Sequence, residues 1–212
     1  MTAIEFYTKF RRAMSNEIGT DFDRHVLACI FSISASEFVL HETLAVSFSV
    51  QDPDILAWLK NTFADSLSPD LKNTFDATPV ISAEEQSLRD LLMRFRTRRS
   101  SCETLLAMLI ARRAQRANHL WQDLGLQNRG ELSQLMTSHF SALARRNKQD
   151  MKWKKFFFRM ICTEEGSRLC SAPSCHECVD IHACFGDESG ESAFARSLRL
   201  NPSVNISLPV LA

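Results

Sequence analysis

Four cysteines stand within fifteen residues near the C-terminus, in the order Cys170-Ser-Ala-Pro-Ser-Cys175-His-Glu-Cys178-Val-Asp-Ile-His-Ala-Cys184. The spacing is C-x4-C-x2-C-x5-C. Four thiols this close converge on one point if the chain loops around it, and Pro173 favours such a bend. Thiolates are soft donors that suit iron–sulfur clusters, zinc and copper(I). Structural zinc sites usually pair two tight knuckles across a longer loop. Here a single C-x2-C is flanked by wider gaps, and the first three cysteines follow the C-x4-C-x2-C order of plant-type ferredoxins. The spacing therefore favours an iron–sulfur type cluster over zinc, and both over redox disulfides or unrelated buried cysteines.

Other groups are candidate ligands. His176, His182, Glu177 and Asp180 lie inside the loop, and His119 lies elsewhere in the chain. A harder metal held beside the thiolates takes nitrogen or oxygen donors, with His176 nearest in sequence. His119 reads equally well as a buried histidine bonded within the core. Cys162, eight residues before Cys170, is either a fifth thiolate or a core residue, and the core reading is preferred. Cys29 and Cys102 sit in apolar helical stripes, where small buried thiols are common.

The elements that must position these groups are helical. Apolar residues recur at helical spacing from Ile4 to Met14 and from Phe22 to about Val39, with Thr20 or Asp21 as caps. Asp52-Pro53-Asp54 opens a helix towards Leu67. Ser82-Ala-Glu-Glu85 and Ser100-Ser-Cys-Glu103 have capping-box spacing. They introduce stripes through Leu88, Leu91, Leu92 and Phe95, then Leu105, Leu106, Leu109 and Ile110. Asn128-Arg-Gly130 breaks the chain before a stripe from Leu132 to Leu143. Met151 to Glu165 forms the last helix, with Gly166 as its C′ residue. After Gly166, four cysteines, Pro173, Gly186 and Gly190 replace the periodicity, so a cross-link or a metal must supply the order that apolar burial does not. The expected organisation is a mainly α protein: a helical domain over 1–166, a cysteine-rich metal-binding loop over 167–190, and a tail over 191–212 that is packed or loose.

The 212 residues carry 25 basic and 25 acidic side chains, which gives no global case for nucleic acid or an anionic membrane. The distribution is uneven. Between Arg145 and Arg159 seven basic residues face one acid, Asp150, whereas Cys162 to Glu191 holds seven acids against Arg168. The basic helix reads as a solvated face with Trp153, Phe156, Phe157 and Met160 inward, or as a surface that attracts an anion. A second basic group, from Arg94 to Arg116, lacks the helix-turn-helix or finger that would make it a nucleic-acid reader. The N-terminus is a poor signal peptide and no apolar run reaches the roughly 18 residues of a spanning helix, so the expected location is the cytoplasm. No hydrolytic motif or phosphate-binding glycine loop is present, and no catalytic turnover is expected.

Three segments together are specific: His119-Leu-Trp-Gln-Asp-Leu-Gly-Leu126, Met151-Lys-Trp-Lys-Lys-Phe-Phe-Phe158, and the cysteine motif ending Cys184-Phe-Gly186. Over about residues 118–187 the chain resembles the NifQ family of nitrogen-fixation proteins, whose signature is this cysteine spacing. The resemblance implies a carrier of a molybdenum–iron–sulfur cluster that donates molybdenum to the iron–molybdenum cofactor of nitrogenase. It assigns the cluster-ligand role to Cys170, Cys175, Cys178 and Cys184. The implied partners are the cofactor-assembly scaffold, the nitrogenase iron protein, and molybdate or a molybdenum–sulfur precursor, with neither nucleic acid nor membrane. Two alternatives from other classes remain on spacing alone: a structural zinc module on a helical adaptor, and an electron-transfer iron–sulfur protein.

Overall fold

In the computed structural model the described residues are 2–14, 18–41, 57, 61, 80–164, 181–185, 188–192, 195–196 and 199. Every element among them is helical: α1 (Ala3–Ala13), α2 (Asp21–His41), α3 (Ala83–Arg94), α4 (Ser101–Arg113), α5 (Leu120–Asp123), α6 (Arg129–His139), α7 (Ser141–Ala144), α8 (Trp153–Glu164) and α9 (Ile181–Cys184). The mainly α expectation is met. The helix from Asp52 lies outside the described residues, apart from the helical Ala57 and Asn61. The boundary at Gly166 and most of the tail also lie outside them.

α2 is the centre. From Val26 to Phe31 each residue is fully buried, and the helix is apolar on all sides, as a helix surrounded by others must be. α1 packs along it, α4 crosses it, α3 pairs with α4, and α8 lies against α3. α5 and α7 flank α6. The inward face of α8 is Trp153, Phe156 and Phe157, with Met160 half-buried. Each such side chain removed from water contributes about 1.5–3 kcal/mol before entropy is charged against it.

The helix starts follow the sequence with two corrections. Thr2 and Glu5 form a reciprocal capping box, and Thr20 with Asp23 does the same at α2. Ser82 and Ser100 do cap α3 and α4 by accepting from Glu85 N–H and Glu103 N–H. The two glutamates, however, turn inward instead of closing the box. Glu85 is buried between Arg89 and Arg112 at 2.6 and 2.7 Å, and Glu103 accepts from Arg98 and Arg99 N–H at 2.8 and 2.6 Å. A buried carboxylate gains more from guanidinium and amide donors than from one solvated cap N–H. Asn128 does not merely break the chain; its side chain caps α6, which begins at Arg129.

Two buried histidines tie α2 to the rest. His25 meets the Tyr7 hydroxyl at 2.8 Å and Glu131 at 3.4 Å. His139 meets Asp23 at 2.7 Å, and Glu103 lies 3.5 Å from its other ring nitrogen. Burial alone would push the Asp23 carboxyl up, but the bonds from His139 and from Thr20 outweigh it and hold it below its ordinary value.

Gly125 explains one position of the 119–126 segment. It sits at φ +73°, and a Cβ there would lie 2.5 Å from Ile33 Cγ1 and 3.0 Å from the Cys29 carbonyl oxygen. Gly125→Ala is expected to cost about 2–4 kcal/mol, from the left-handed backbone and the collision with α2. Urea unfolding should show this as a lower midpoint with unchanged slope. An unchanged midpoint would mean that α5 does not approach α2 this closely.

Candidate metal centre

Of the four motif cysteines only Cys184 lies among the described residues; Cys170, Cys175, Cys178 and His176 lie outside them, as do Glu177 and Asp180. Cys184 ends α9, and its carbonyl accepts the Lys152 backbone N–H at 2.8 Å. That bond fixes the end of the cysteine segment to the residue just before α8. Cys184 and Phe185 are half-buried against the main core. His182 is on α9, with its side chain outside the description.

His119 precedes α5 and faces the same region. Its Nδ1 lies 3.1 Å from Glu188 Oε1, and Arg129 Nε lies 3.4 Å from the other oxygen of that carboxylate. The Glu188 side chain is 4% exposed, against 32% for His119. Gln122 joins the two segments: its Oε1 accepts from His119 N–H at 3.1 Å and its amide donates to the Ser189 carbonyl at 3.4 Å. Gly190, at φ +111°, lets the chain pass so close that a Cβ would lie 2.6 Å from Gln122 Nε2. Beyond it, Ser192 is buried and caps a helical turn at Ala195.

Between these groups lies a cleft of about 420 Å³, bordered by His119, Gln122, Lys152, Lys155, Ala183 and Glu188. Ala183, which borders the cleft, precedes Cys184 on α9, and Lys152, which also borders it, donates its backbone N–H to the Cys184 carbonyl. Lys152, Lys154 and Lys155 cluster at the start of α8, where the first turn carries no acid. Cations at the positive end of a helix dipole raise the local potential rather than offset it. Lys154 is answered by Asp123 Oδ2 at 2.5 Å and by the Arg116 carbonyl at 2.6 Å. Burial pulls the Lys154 ammonium down from its ordinary value and outweighs the opposing pull of Asp123. The basic segment is thus divided. Its apolar side is core, as expected, while three of its lysines border a cleft and do not form a wholly solvated face.

The remaining cysteines are placed differently. Cys29 is fully buried beside His25, and burial pushes its thiol well above its ordinary value. Burial, with Asp23 and Glu103 adding to it, pushes Cys102 up to about 12. Both stay protonated and are poor metal ligands. Cys162 is half-buried on α8. Among the described residues no three His, Cys, Asp or Glu side chains converge as a metal cage would require. The second basic group is largely consumed within the fold: Arg112 binds Glu85, while Arg113 and Arg116 bind Glu37. No described helix is long and apolar enough to cross a membrane.

Glu188, Arg129 and Gln122 were not expected at the centre. Glu188 stands in the acidic stretch from Cys162 to Glu191, and nothing in its spacing links it to His119, 69 positions away.

By fold and site, then, the described residues are those of a helical protein in which Cys184 is tied to Lys152 at a histidine- and lysine-bordered cleft. The NifQ family profile matches residues 26–186. A NifQ homolog of Sinorhizobium fredii is 40% identical over 180 residues, covering 84% of this chain and 77% of the relative. The NifQ protein of Rhodobacter capsulatus is 37% identical over 135 residues, covering 63% of this chain and 73% of the relative. That of Azotobacter vinelandii is 40% identical over 105 residues, or 50% and 54%. No solved structure matches the chain. The chain belongs to the NifQ family, and with it to the proteins of nitrogen fixation.

Proposed function

We propose that the protein carries a molybdenum–iron–sulfur cluster on Cys170, Cys175, Cys178 and Cys184, and donates its molybdenum for assembly of the nitrogenase iron–molybdenum cofactor. The observation that carries this reading is the backbone bond that ties Cys184 to Lys152, one of three lysines that border a cleft with His119. A cluster held by four thiolates is anionic, and the lysines at the start of α8 favour it or a molybdate precursor. The donor types also fit: soft thiolates for iron, and a nitrogen or oxygen ligand for a harder metal. The protein acts as a carrier, without turnover of an organic substrate. Its partners are the scaffold on which the cofactor is completed and the nitrogenase iron protein, and its place is the cytoplasm.

Metal analysis of the anaerobically purified full-length chain tests this directly. Iron, acid-labile sulfide and molybdenum are expected together. Zinc alone, from cells supplied with iron and molybdate, would replace this reading with a structural zinc module. Iron and sulfide without molybdenum would replace it with electron transfer.

A further inference from the structure

We propose that the groove between the 146–151 turn and α8 is a docking surface for an acidic protein segment that carries an apolar anchor residue. Such docking is independent of which metal the protein holds.

Arg146, Lys148 and Arg159 border the groove, and Met151, Phe156 and Met160 form its floor. Among the described residues no carboxylate lines it. The basic side chains are exposed, whereas Met151 and Phe156 are each 5% exposed and Met160 is half-buried. The volume is about 340 Å³, room for an anchoring side chain. Asp150 is the one acid between Arg145 and Arg159, and it is engaged elsewhere. At φ +52°, its carboxylate and its carbonyl both accept from Arg129 Nη2, at 2.8 and 2.9 Å. Asn147 then clamps Met151, accepting from its N–H at 2.9 Å and donating to its carbonyl at 2.8 Å. The turn is therefore set before a partner arrives, which lowers the ordering cost of binding.

Arg146 is prepared in a similar way. Its guanidinium lies over the Phe95 ring, 4.5 Å from the centroid, a contact that holds the cation without neutralising it. Among the described residues neither Arg146 nor Lys148 is paired with a carboxylate. Other arginines are spent inside the fold, Arg89 and Arg112 on Glu85 and Arg113 on Glu37. Past Phe95 the exposed Arg98 and Arg99 extend the positive surface, on a turn that Thr97 ties to Ser141 of α7 at 3.2 Å.

A surface of this extent exceeds what a small anion uses, and its complement is a negatively charged macromolecule. The floor favours protein over nucleic acid. Bases need exposed rings to stack on, and Phe156 is buried. Methionine side chains adapt to varied apolar groups, and a helix laid in a groove presents such anchors along one face. Met151 also precedes Lys152, whose N–H bonds the Cys184 carbonyl, so a partner docked here meets the end of the cysteine segment.

The test uses full-length protein labelled at its methionine methyls, read by NMR during titration with defined probes. The first is a synthetic helical peptide with leucines along one face and glutamates around them. Its companions carry serine for leucine or lysine for glutamate, and the last probe is a single-stranded oligonucleotide. The leucine–glutamate peptide should shift the Met151 and Met160 methyls and bind about tenfold or more tightly than the others, less so as salt rises. Arg146→Glu combined with Lys148→Glu should weaken it by about tenfold or more with circular dichroism unchanged. Arg12→Glu, at an exposed position on α1, should bind as wild type does. If the double reversal fails to fold, Arg146→Gln with Lys148→Gln is read in its place.

Unmoved Met151 and Met160 methyls overturn the proposal, as does full binding by the charge variant. Equal binding of the serine peptide reduces the groove to unselective charge, and tighter binding of the oligonucleotide makes it a nucleic-acid surface; either result overturns the proposal. Metal content enters none of these readings, so failure of the carrier role is seen separately.

Discussion

Replacing Cys175 or Cys178 with alanine should leave the protein folded and almost free of metal, with iron and molybdenum falling to roughly one-tenth of wild type or less. Each of these cysteines belongs to the tight C-x2-C pair at the middle of the motif. Loss of one leaves three thiols in a segment with little apolar material of its own, and a neutral water is a much poorer ligand for a cluster iron than the soft thiolate it would replace. Among the described residues the buried core runs through α1 to α8, from Ala3 to Ile161, with Cys184 and Phe185 only partly buried against it. Far-ultraviolet circular dichroism of either variant should therefore match wild type. Cys29→Ala is the control. Its thiol is fully buried beside His25, far above the pKa of a ligand, so metal content should be unchanged. Normal loading of the Cys175 or Cys178 variant would remove that residue from the site, and heavy loss in Cys29→Ala would mean that the ligand set extends into the helical domain.

The different legibility of these two regions has a physical cause. Most of these helices bury one stripe, so periodicity marks α1, α3, α4, α6 and α8 without any long-range information, while α2 shows as a long apolar run buried all round. Caps such as Ser82 and Ser100 are equally local. What periodicity could not reveal is the direction in which Glu85 and Glu103 point, because that is decided by arginines met only after packing. The expectation for the four cysteines has another basis: thiols in a polar, proline-bearing segment have few uses other than a metal, and three of the four lie outside the described residues. His119 was visible as a candidate yet indistinguishable from a core histidine. The structure sets it 3.1 Å from Glu188, in a segment that the Gln122 bridge and the positive-φ Gly190 bring close. The lysines at the start of α8 were ambiguous in the same way. A charged residue on a helix reads as solvated until its neighbour is known, and for Lys154 that neighbour is Asp123.

Asp123 also connects the centre to the largest stability effect expected outside the core. Arg113 is 1% exposed in its side chain, and its guanidinium joins three elements. Nε donates to the Asp123 carbonyl at 2.5 Å, while the two terminal nitrogens bind both oxygens of Glu37 at 2.7 Å. The paired geometry ties α4 to α2 and to the end of α5 at once. Arg113→Ala should destabilise the fold by about 3–5 kcal/mol, the range for removing one partner of a buried pair. The Asp123 carbonyl loses a buried donor, and Glu37 loses its two-point partner while Arg116 stays at 3.0 Å. Arg113→Lys should recover little, because an ammonium cannot reproduce the planar fork. A loss below about 1 kcal/mol would place the ion pair among exposed ones, which contribute no more than that. The same substitution should loosen metal retention even where the protein remains folded. Asp123 holds Lys154 at the cleft and receives a bond from Asn118 at 3.0 Å, so a displaced α5 carries His119 with it. Metal loss without a stability loss would separate the two roles and leave Arg113 acting on the centre alone.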